Sequence, residues 1–132
     1  MKVAIYSRKS RITNTGDSIE NQINLCKDYC KDKIVDEIFI YEDEGFSGKN
    51  TERPEFKRML EDARRHKFNF IICYRLDRIS RNLYDFTNII NELDTLNIQF
   101  VSIKEQFDTS SPMGKAMMYI ASIFAQLERE TT

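Results

Sequence analysis

The sequence contains no tryptophan, one histidine, three cysteines and two prolines in 132 residues. It has no run of about 18 apolar residues and no hydrophobic leader, so we predict a cytoplasmic protein that does not contact a membrane. It also lacks an excess of either charge: 20 basic and 21 acidic side chains give a net charge of −1, which argues against a polybasic nucleic-acid binder. The length and the 41% hydrophobic content predict one domain over residues 1–132.

The scarcity of cysteine and histidine argues against a metal centre. Cys26, Cys30 and Cys73, with the single His66, do not form a zinc-binding pattern, so we expect buried free thiols and no metal. His66 lies in the basic stretch 64–67, which is typical of a solvated helix end, where positive charge is favourable. A Ser-His-Asp mechanism is therefore not indicated.

Apolar runs alternate with helical patterns along the chain, and this order predicts an α/β fold. We expect a mostly parallel central sheet of four to five strands flanked by helices. The run 34–41 ends in four consecutive apolar residues, as in a strand buried on both faces, and a polar loop follows from Asp43 to Pro54. The predicted strands are 2–7, 34–41, 68–74 and 98–103, and the predicted helices begin at about 17, 54, 82 and 112.

A long helix is predicted at the end of the chain. Ser111 is the expected cap and Pro112 the first helical residue. No glycine cap ends the pattern, so we expect the helix to continue beyond Thr132 in a longer protein. Its apolar stripe is typical of a domain core, with a subunit interface as the alternative. The stripe consists of Met113, Ala116, Met117, Ile120, Ile123, Phe124 and Leu127.

The charges are unevenly distributed along the chain. Residues 1–35 carry a net charge of +3 and residues 63–81 a net charge of +5, whereas residues 36–62 and 82–132 are acidic. The basic segments flank the loops after the first and third strands, and ligands of open parallel sheets bind at the carboxyl ends of strands. Guanidinium groups bind phosphate bidentately, and a serine among them could attack a phosphoryl group. The candidate arginines are Arg8, Arg53, Arg75, Arg78 and Arg81, and the candidate serines are Ser7, Ser10 and Ser47.

Five motifs in order resemble the catalytic domain of the serine site-specific recombinases, the resolvase/invertase family. They are Tyr6-Ser-Arg8-Lys-Ser10, Ser18-Ile-Glu-Asn-Gln22, Asp43-Glu-Gly-Phe-Ser47-Gly48 with Arg53-Pro54, Tyr74-Arg-Leu-Asp77-Arg78-Ile-Ser-Arg81 and Gln126-Leu-Glu128-Arg129-Glu130. The resemblance covers essentially the whole chain. Within the family, the chain looks most like the large members, the serine integrases and transposon resolvases. Each motif alone is weak, but five in this order are specific.

The resemblance implies a DNA breakage and rejoining reaction in which Ser10 is the nucleophile and forms a 5′-phosphoserine link. Asp77 would orient an arginine or take part in protonating the leaving 3′-oxygen. The implied catalytic set is Ser10, Arg8, Arg53, Asp77, Arg78 and Arg81. The implied supporting residues are Tyr6, Gln22, Ser47, Glu128 and Arg129.

The resemblance also implies partners. The family needs no metal or nucleotide cofactor, acts on double-stranded DNA recombination sites, and forms a dimer on each site and a tetramer when two sites pair. Its DNA-binding modules follow the long helix and are absent here, so we expect weak DNA binding and no recombination by residues 1–132 alone.

Two rival interpretations share parts of this pattern. A receiver-like phosphate-sensing module would place acidic residues after its first strand, where this chain has Arg8-Lys9-Ser10. A serine hydrolase would need a G-x-S-x-G elbow, which the sequence lacks. The general base for Ser10, the target sites and the choice among integrase, resolvase and transposase stay open.

Overall fold

The computed structural model describes residues 1–10, 19–45, 53–76, 79 and 83–131, with the backbone alone at the ends of two strands and in parts of the last two helices. The strands are β1 (Lys2–Ser10), β2 (Glu37–Gly45), β3 (Phe70–Cys73), β4 (Gln99–Ser102) and β5 (Phe107–Asp108). The helices are α1 (Ile19–Tyr29), α2 (Pro54–Arg64), α3 (Leu83–Thr95) and α4 (Pro112–Thr131).

The strands form one sheet in the order β2-β1-β3-β4-β5, in which only β5 is antiparallel to its neighbour. Side chains of β1 alternate between two apolar layers, as the two-residue period of a strand requires. Val3 and Ile5 pack with α1 on one face, whereas Ala4 and Tyr6 pack with α2 and α3 on the other. The predicted fold class, a mostly parallel sheet flanked by helices, is confirmed.

The prediction that residues 34–41 form a strand buried on both faces is wrong. β2 starts at Glu37 and is one of the two edge strands, and Ile34 precedes it with 86% of its surface exposed. Tyr41 faces the core, but Ile38 and Ile40 are each more than one-third exposed. The reason is that α1 packs mainly on β1, so one face of β2 stays partly uncovered.

The loop predicted from Asp43 also begins too early. β2 continues through Gly45 because β1 extends to Ser10 beside it, with Ser10 and Gly45 in register. The short strand β5 lies between the predicted strand 98–103 and the predicted helix from 112, where no strand was predicted, since two residues are too few to show a strand period. Phe107 of β5 is buried and anchors this segment against Phe86 and Phe100.

The start of α4 shows the predicted cap. The Gly114 N–H donates to the Ser111 hydroxyl oxygen at 2.9 Å, and the hydroxyl donates to the Asp108 carbonyl at 2.9 Å. A Cβ at Gly114 would lie 1.6 Å from the Asp108 carbonyl oxygen, so only glycine permits this close approach.

The prediction of a core role for the apolar stripe of α4 is wrong for the side chains that the structure describes. α4 contacts α3 and β5 and leaves one apolar face in solvent. Between 46% and 71% of the surface is exposed at Met113, Met117, Tyr119, Ile120 and Ile123. The alternative, a subunit interface, stays a hypothesis.

The cysteines are buried free thiols, as predicted. Burial, with a smaller contribution from Cys30, raises the pKa of Cys26 to about 12. Among the described residues, no group of three or more potential ligands could hold a metal ion, and no helix is long and apolar enough to span a membrane.

Candidate active site

At the carboxyl edge of the sheet, β1 extends beyond the end of β3. β1 pairs with β2 as far as Ser10, but it pairs with β3 only as far as Tyr6 opposite Cys73. The backbone of Arg8 therefore extends past the end of β3. The Arg8 N–H donates to Gln22 Oε1 at 3.3 Å, and Gln22 Nε2 donates to the Arg8 carbonyl at 3.1 Å. The fully buried Gln22 of α1 thus takes the place of a strand partner and holds the backbone of Arg8.

Tyr6 connects this edge to β2. Its buried hydroxyl donates to Asp43 Oδ2 at 2.9 Å. Burial raises the pKa of Tyr6 strongly and the Asp43 carboxylate raises it further, while the charges of Arg53 and Arg8 oppose the rise. The charges of Arg8 and Arg53 thus both favour the ionised form of the Tyr6 phenol, against the effects of burial and of Asp43.

Asp43, which the sequence analysis assigned to a loop, links β1 and β2 to the start of α2. Besides the Tyr6 hydroxyl, its carboxylate accepts the N–H of Glu55 at 3.1 Å and the N–H of Phe56 at 3.0 Å. It thus satisfies two orphan donors at the N-terminus of α2, where negative charge is favourable. No local spacing could indicate this cap, because Asp43 lies outside the helix, at the end of β2.

Arg53 immediately precedes α2 and is held by two contacts. Its guanidinium lies 4.0 Å from the centroid of the Phe56 ring, and its Nη1 donates to the Ile79 carbonyl. Phe56 in turn makes an edge contact with the Tyr6 ring at 5.2 Å. The cation–π contact and the Asp43 cap therefore place Arg53 between β1 and the segment that follows β3.

The structure brings four predicted site residues to this edge, namely Tyr6, Arg8, Gln22 and Arg53. The backbone of Ser10 ends β1 two residues after Arg8, and its side chain lies outside the described part of the structure. Four other predicted residues also lie outside the described residues: Ser47, Asp77, Arg78 and Arg81. Glu128 and Arg129 belong to α4, and their side chains are likewise outside the described part.

His66 lies at the opposite edge of the sheet. It follows α2 with a left-handed φ of 60° and lines a surface depression with Met1 and Lys2, at the start of β1. At ~3.3 Å per residue, the eight steps from Lys2 to Ser10 correspond to roughly 26 Å. His66 is therefore no partner for Ser10, which weighs against the serine hydrolase interpretation.

The chain is similar in sequence to a family of DNA recombinases and invertases. The family model for the resolvase N-terminal domain matches residues 3–132. Serine recombinase gin of Escherichia phage Mu is 36% identical over 91 residues, which are 69% of this chain and 46% of that protein. DNA-invertase hin of Salmonella typhimurium is 31% identical over 113 residues, which are 86% of this chain and 57% of that protein. The chain thus spans about half the length of these relatives.

Solved structures match the whole chain. The N-terminal catalytic domain of TP901-1 integrase aligns with a TM-score of 0.85 and 35% identity, covering 99% of this chain and 98% of that domain. A resolvase family site-specific recombinase from Streptococcus pneumoniae aligns with a TM-score of 0.84 and 29% identity, covering 99% of this chain and 89% of that one.

Proposed function

The chain belongs to the resolvase N-terminal domain family, and on this basis we propose that it is the catalytic domain of a site-specific DNA recombinase. Relatives that are DNA recombinases and invertases support DNA as the substrate. The observation that carries the proposal is the placement of two arginines near the end of β1. Arg53 stacks on Phe56, whose ring contacts Tyr6, and the backbone of Arg8 is held by Gln22 two residues before Ser10.

In the proposed reaction, the Ser10 hydroxyl gives its proton to a general base and its oxygen attacks the scissile phosphorus. The bond from phosphorus to the 3′-oxygen breaks, the 3′-oxygen receives a proton, and the DNA 5′-phosphate becomes a serine ester. A 3′-hydroxyl then attacks this ester, restores a phosphodiester and releases Ser10. The number of phosphoester bonds is constant in both steps, so no ATP is required, and the proposal includes no metal.

The arginines supply the electrostatic part of this mechanism. Negative charge builds up on the phosphate oxygens in the pentacoordinate state, and guanidinium groups at fixed positions stabilise it. Arg8 is held through its backbone by Gln22, and Arg53 is held by Phe56 and Ile79. By resemblance, Asp77, Arg78 and Arg81 complete the catalytic set, and Ser47, Glu128 and Arg129 support it.

We also propose that the chain is the catalytic part of a longer protein whose other modules supply most of the DNA affinity. The net charge of −1 supports this division, since neutralising phosphates requires many basic contacts. The exposed apolar face of α4 is proposed to contact a second copy in a dimer on each site and a tetramer of paired sites. Sedimentation of the full-length protein tests this: Ile120→Asp should shift it toward monomer, and Lys115→Asp, on the same helix, should not.

The nucleophile is tested with the full-length protein that contains this chain. The substrate is a nicked suicide duplex carrying its recombination site, and the product is a covalent protein–DNA adduct. Ser10→Ala should abolish the adduct, whereas Ser110→Ala, an exposed serine beyond β5, should not. An adduct that persists in Ser10→Ala overturns the assignment.

The role of the arginines is tested by comparing cleavage with binding. Arg8→Ala should slow adduct formation by about 10²- to 10³-fold, the usual loss for one transition-state donor, while DNA binding changes far less. Arg64→Ala is the matched control, because Arg64 pairs with Glu92 at the far end of α2. Equal losses of cleavage and binding in Arg8→Ala would indicate simple phosphate anchoring instead.

A further inference from the structure

A second carboxylate, Glu105, lies at the same edge of the sheet, after β4. Its carboxylate accepts a hydrogen bond from the Leu76 N–H, whose nitrogen lies 3.2 Å from Oε1 and 3.3 Å from Oε2. Oε1 also accepts a hydrogen bond from the Ser102 hydroxyl at 2.5 Å. Glu105 is exposed, so it contributes little to the core. Its next residue, Gln106, has a φ of 55°, which non-glycine residues rarely adopt. The chain thus adopts an unfavourable conformation next to the residue that holds Leu76.

The segment after β3 is attached to the segment after β4 along its length. The Ile103 N–H donates to the Cys73 carbonyl at 3.1 Å, and the Lys104 N–H donates to the Tyr74 carbonyl at 2.9 Å. These two backbone bonds place Glu105 opposite Leu76. The Glu105–Leu76 hydrogen bond therefore continues the series formed by Ile103 with Cys73 and Lys104 with Tyr74.

The other end of the same segment is held by Arg53. The Ile79 N–H donates to the Leu76 carbonyl at 3.0 Å, and the Ile79 carbonyl accepts Arg53 Nη1. The backbone is thus fastened at Leu76 by a carboxylate and at Ile79 by a guanidinium. The two residues connected between these points are Asp77 and Arg78.

We propose that Glu105 is a positioning residue for the reaction. Together with Arg53, it fixes the backbone at Leu76 and Ile79, the described residues that flank Asp77 and Arg78 in the sequence. This inference rests on the proposed function for its catalytic consequence, but the effect of Glu105 on the Leu76 backbone does not depend on it. One experiment below tests the effect of Glu105 on the Leu76 backbone, and a second tests its effect on catalysis.

The first experiment needs no DNA. Amide hydrogen exchange of Leu76 is measured by NMR in this 132-residue chain and in Glu105→Ala, which removes the acceptor. We expect exchange at Leu76 to become about tenfold faster, while Glu105→Gln, which keeps an acceptor oxygen, restores most of the protection. Glu92→Gln is the control, because that carboxylate binds Arg64 on the surface. Unchanged exchange in Glu105→Ala overturns the proposal, and thermal unfolding verifies that each variant is folded.

The second experiment measures catalysis in the full-length protein with the nicked suicide duplex. Glu105→Ala should slow adduct formation about tenfold at saturating DNA and leave the DNA dissociation constant within about twofold. Glu105→Gln should recover most of the rate, and Glu92→Gln should match the parent. A parallel loss of binding and cleavage, or no loss of cleavage, contradicts the positioning role.

The outcomes distinguish the two proposals. If the parent protein forms no adduct, or if Ser10→Ala still forms one, the proposed function fails. If the parent forms the adduct through Ser10 and Glu105→Ala is fully active, only the positioning role of Glu105 fails. Faster amide exchange at Leu76 together with slower cleavage in Glu105→Ala supports both the proposed function and the positioning role.

Discussion

Replacing Asp43 by alanine is expected to destabilise the fold more than any other single loss of a polar side chain at this edge. The substitution removes the acceptor of three hydrogen bonds, from the Tyr6 hydroxyl at 2.9 Å and from the N–H groups of Glu55 and Phe56 at 3.1 and 3.0 Å. The first and third of these bonds are buried, so their donors would be left without a partner.

The magnitude follows from these contacts. A buried donor left unsatisfied costs about 1–3 kcal/mol, and two such donors give about 3–5 kcal/mol after allowing for partial relaxation. The Glu55 N–H is partly exposed and can bond to water, so its loss adds little. Asp43→Asn keeps one acceptor oxygen and should lose only about 1–2 kcal/mol.

The measurement is urea unfolding of the 132-residue chain followed by circular dichroism. Asp94→Ala, at an exposed aspartate of α3, is the control and should stay within about 0.5 kcal/mol of the parent. In a double-mutant cycle, Asp43→Ala and Tyr6→Phe should couple by about 1–2 kcal/mol, since each removes the same hydrogen bond. A loss below about 1 kcal/mol for Asp43→Ala, or additive effects in the cycle, would refute the reasoning.

Two further predictions concern other parts of the molecule. Gly114→Ala should lower the free energy of unfolding by about 2–3 kcal/mol, because the new Cβ would collide with the Asp108 carbonyl; a chain as stable as the parent in urea, with Lys115→Ala as control, would contradict this. The pKa of Asp62 is lowered chiefly by the hydrogen bond from Tyr41, so its stabilising contribution is present above the unfolded pKa of about 3.9 and is lost as the pH falls through the lower folded pKa. Tyr41→Phe should raise the pKa of Asp62 in an NMR titration and weaken the decline of stability below about pH 4; an unchanged titration would show that the other neighbours dominate.

Much of the fold could be predicted because its signals are local. The alternation of apolar runs and helical patterns is a property of neighbouring residues, and it predicted the α/β class and the approximate starts of the helices. The Ser111 cap and the buried thiol of Cys73 were also predicted, since capping and burial follow residue type.

The errors arose where strand order determines burial. The apolar run in β2 has the same composition as a central strand, but β2 occupies the edge of the sheet and Ile38 and Ile40 remain partly exposed. The apolar stripe of α4 likewise resembles a core helix, yet much of it faces solvent. A sequence pattern indicates that a face is apolar, whereas only the packing of other elements decides whether that face is covered.

By itself, the sequence determined the fold class, the order of the elements except β5, and the residue types of the proposed site. The tertiary structure decided which of these residues meet. Arg8 and Arg53 are distant in the chain, yet Arg53 reaches the Tyr6 ring through Phe56, because the end of β1 and the start of α2 meet at the carboxyl edge of the sheet. Asp43 and Glu105 carry no local signature, because their roles arise from hydrogen bonds to backbone groups brought near by strand order. Such contacts depend on three-dimensional register, which no short stretch of sequence encodes.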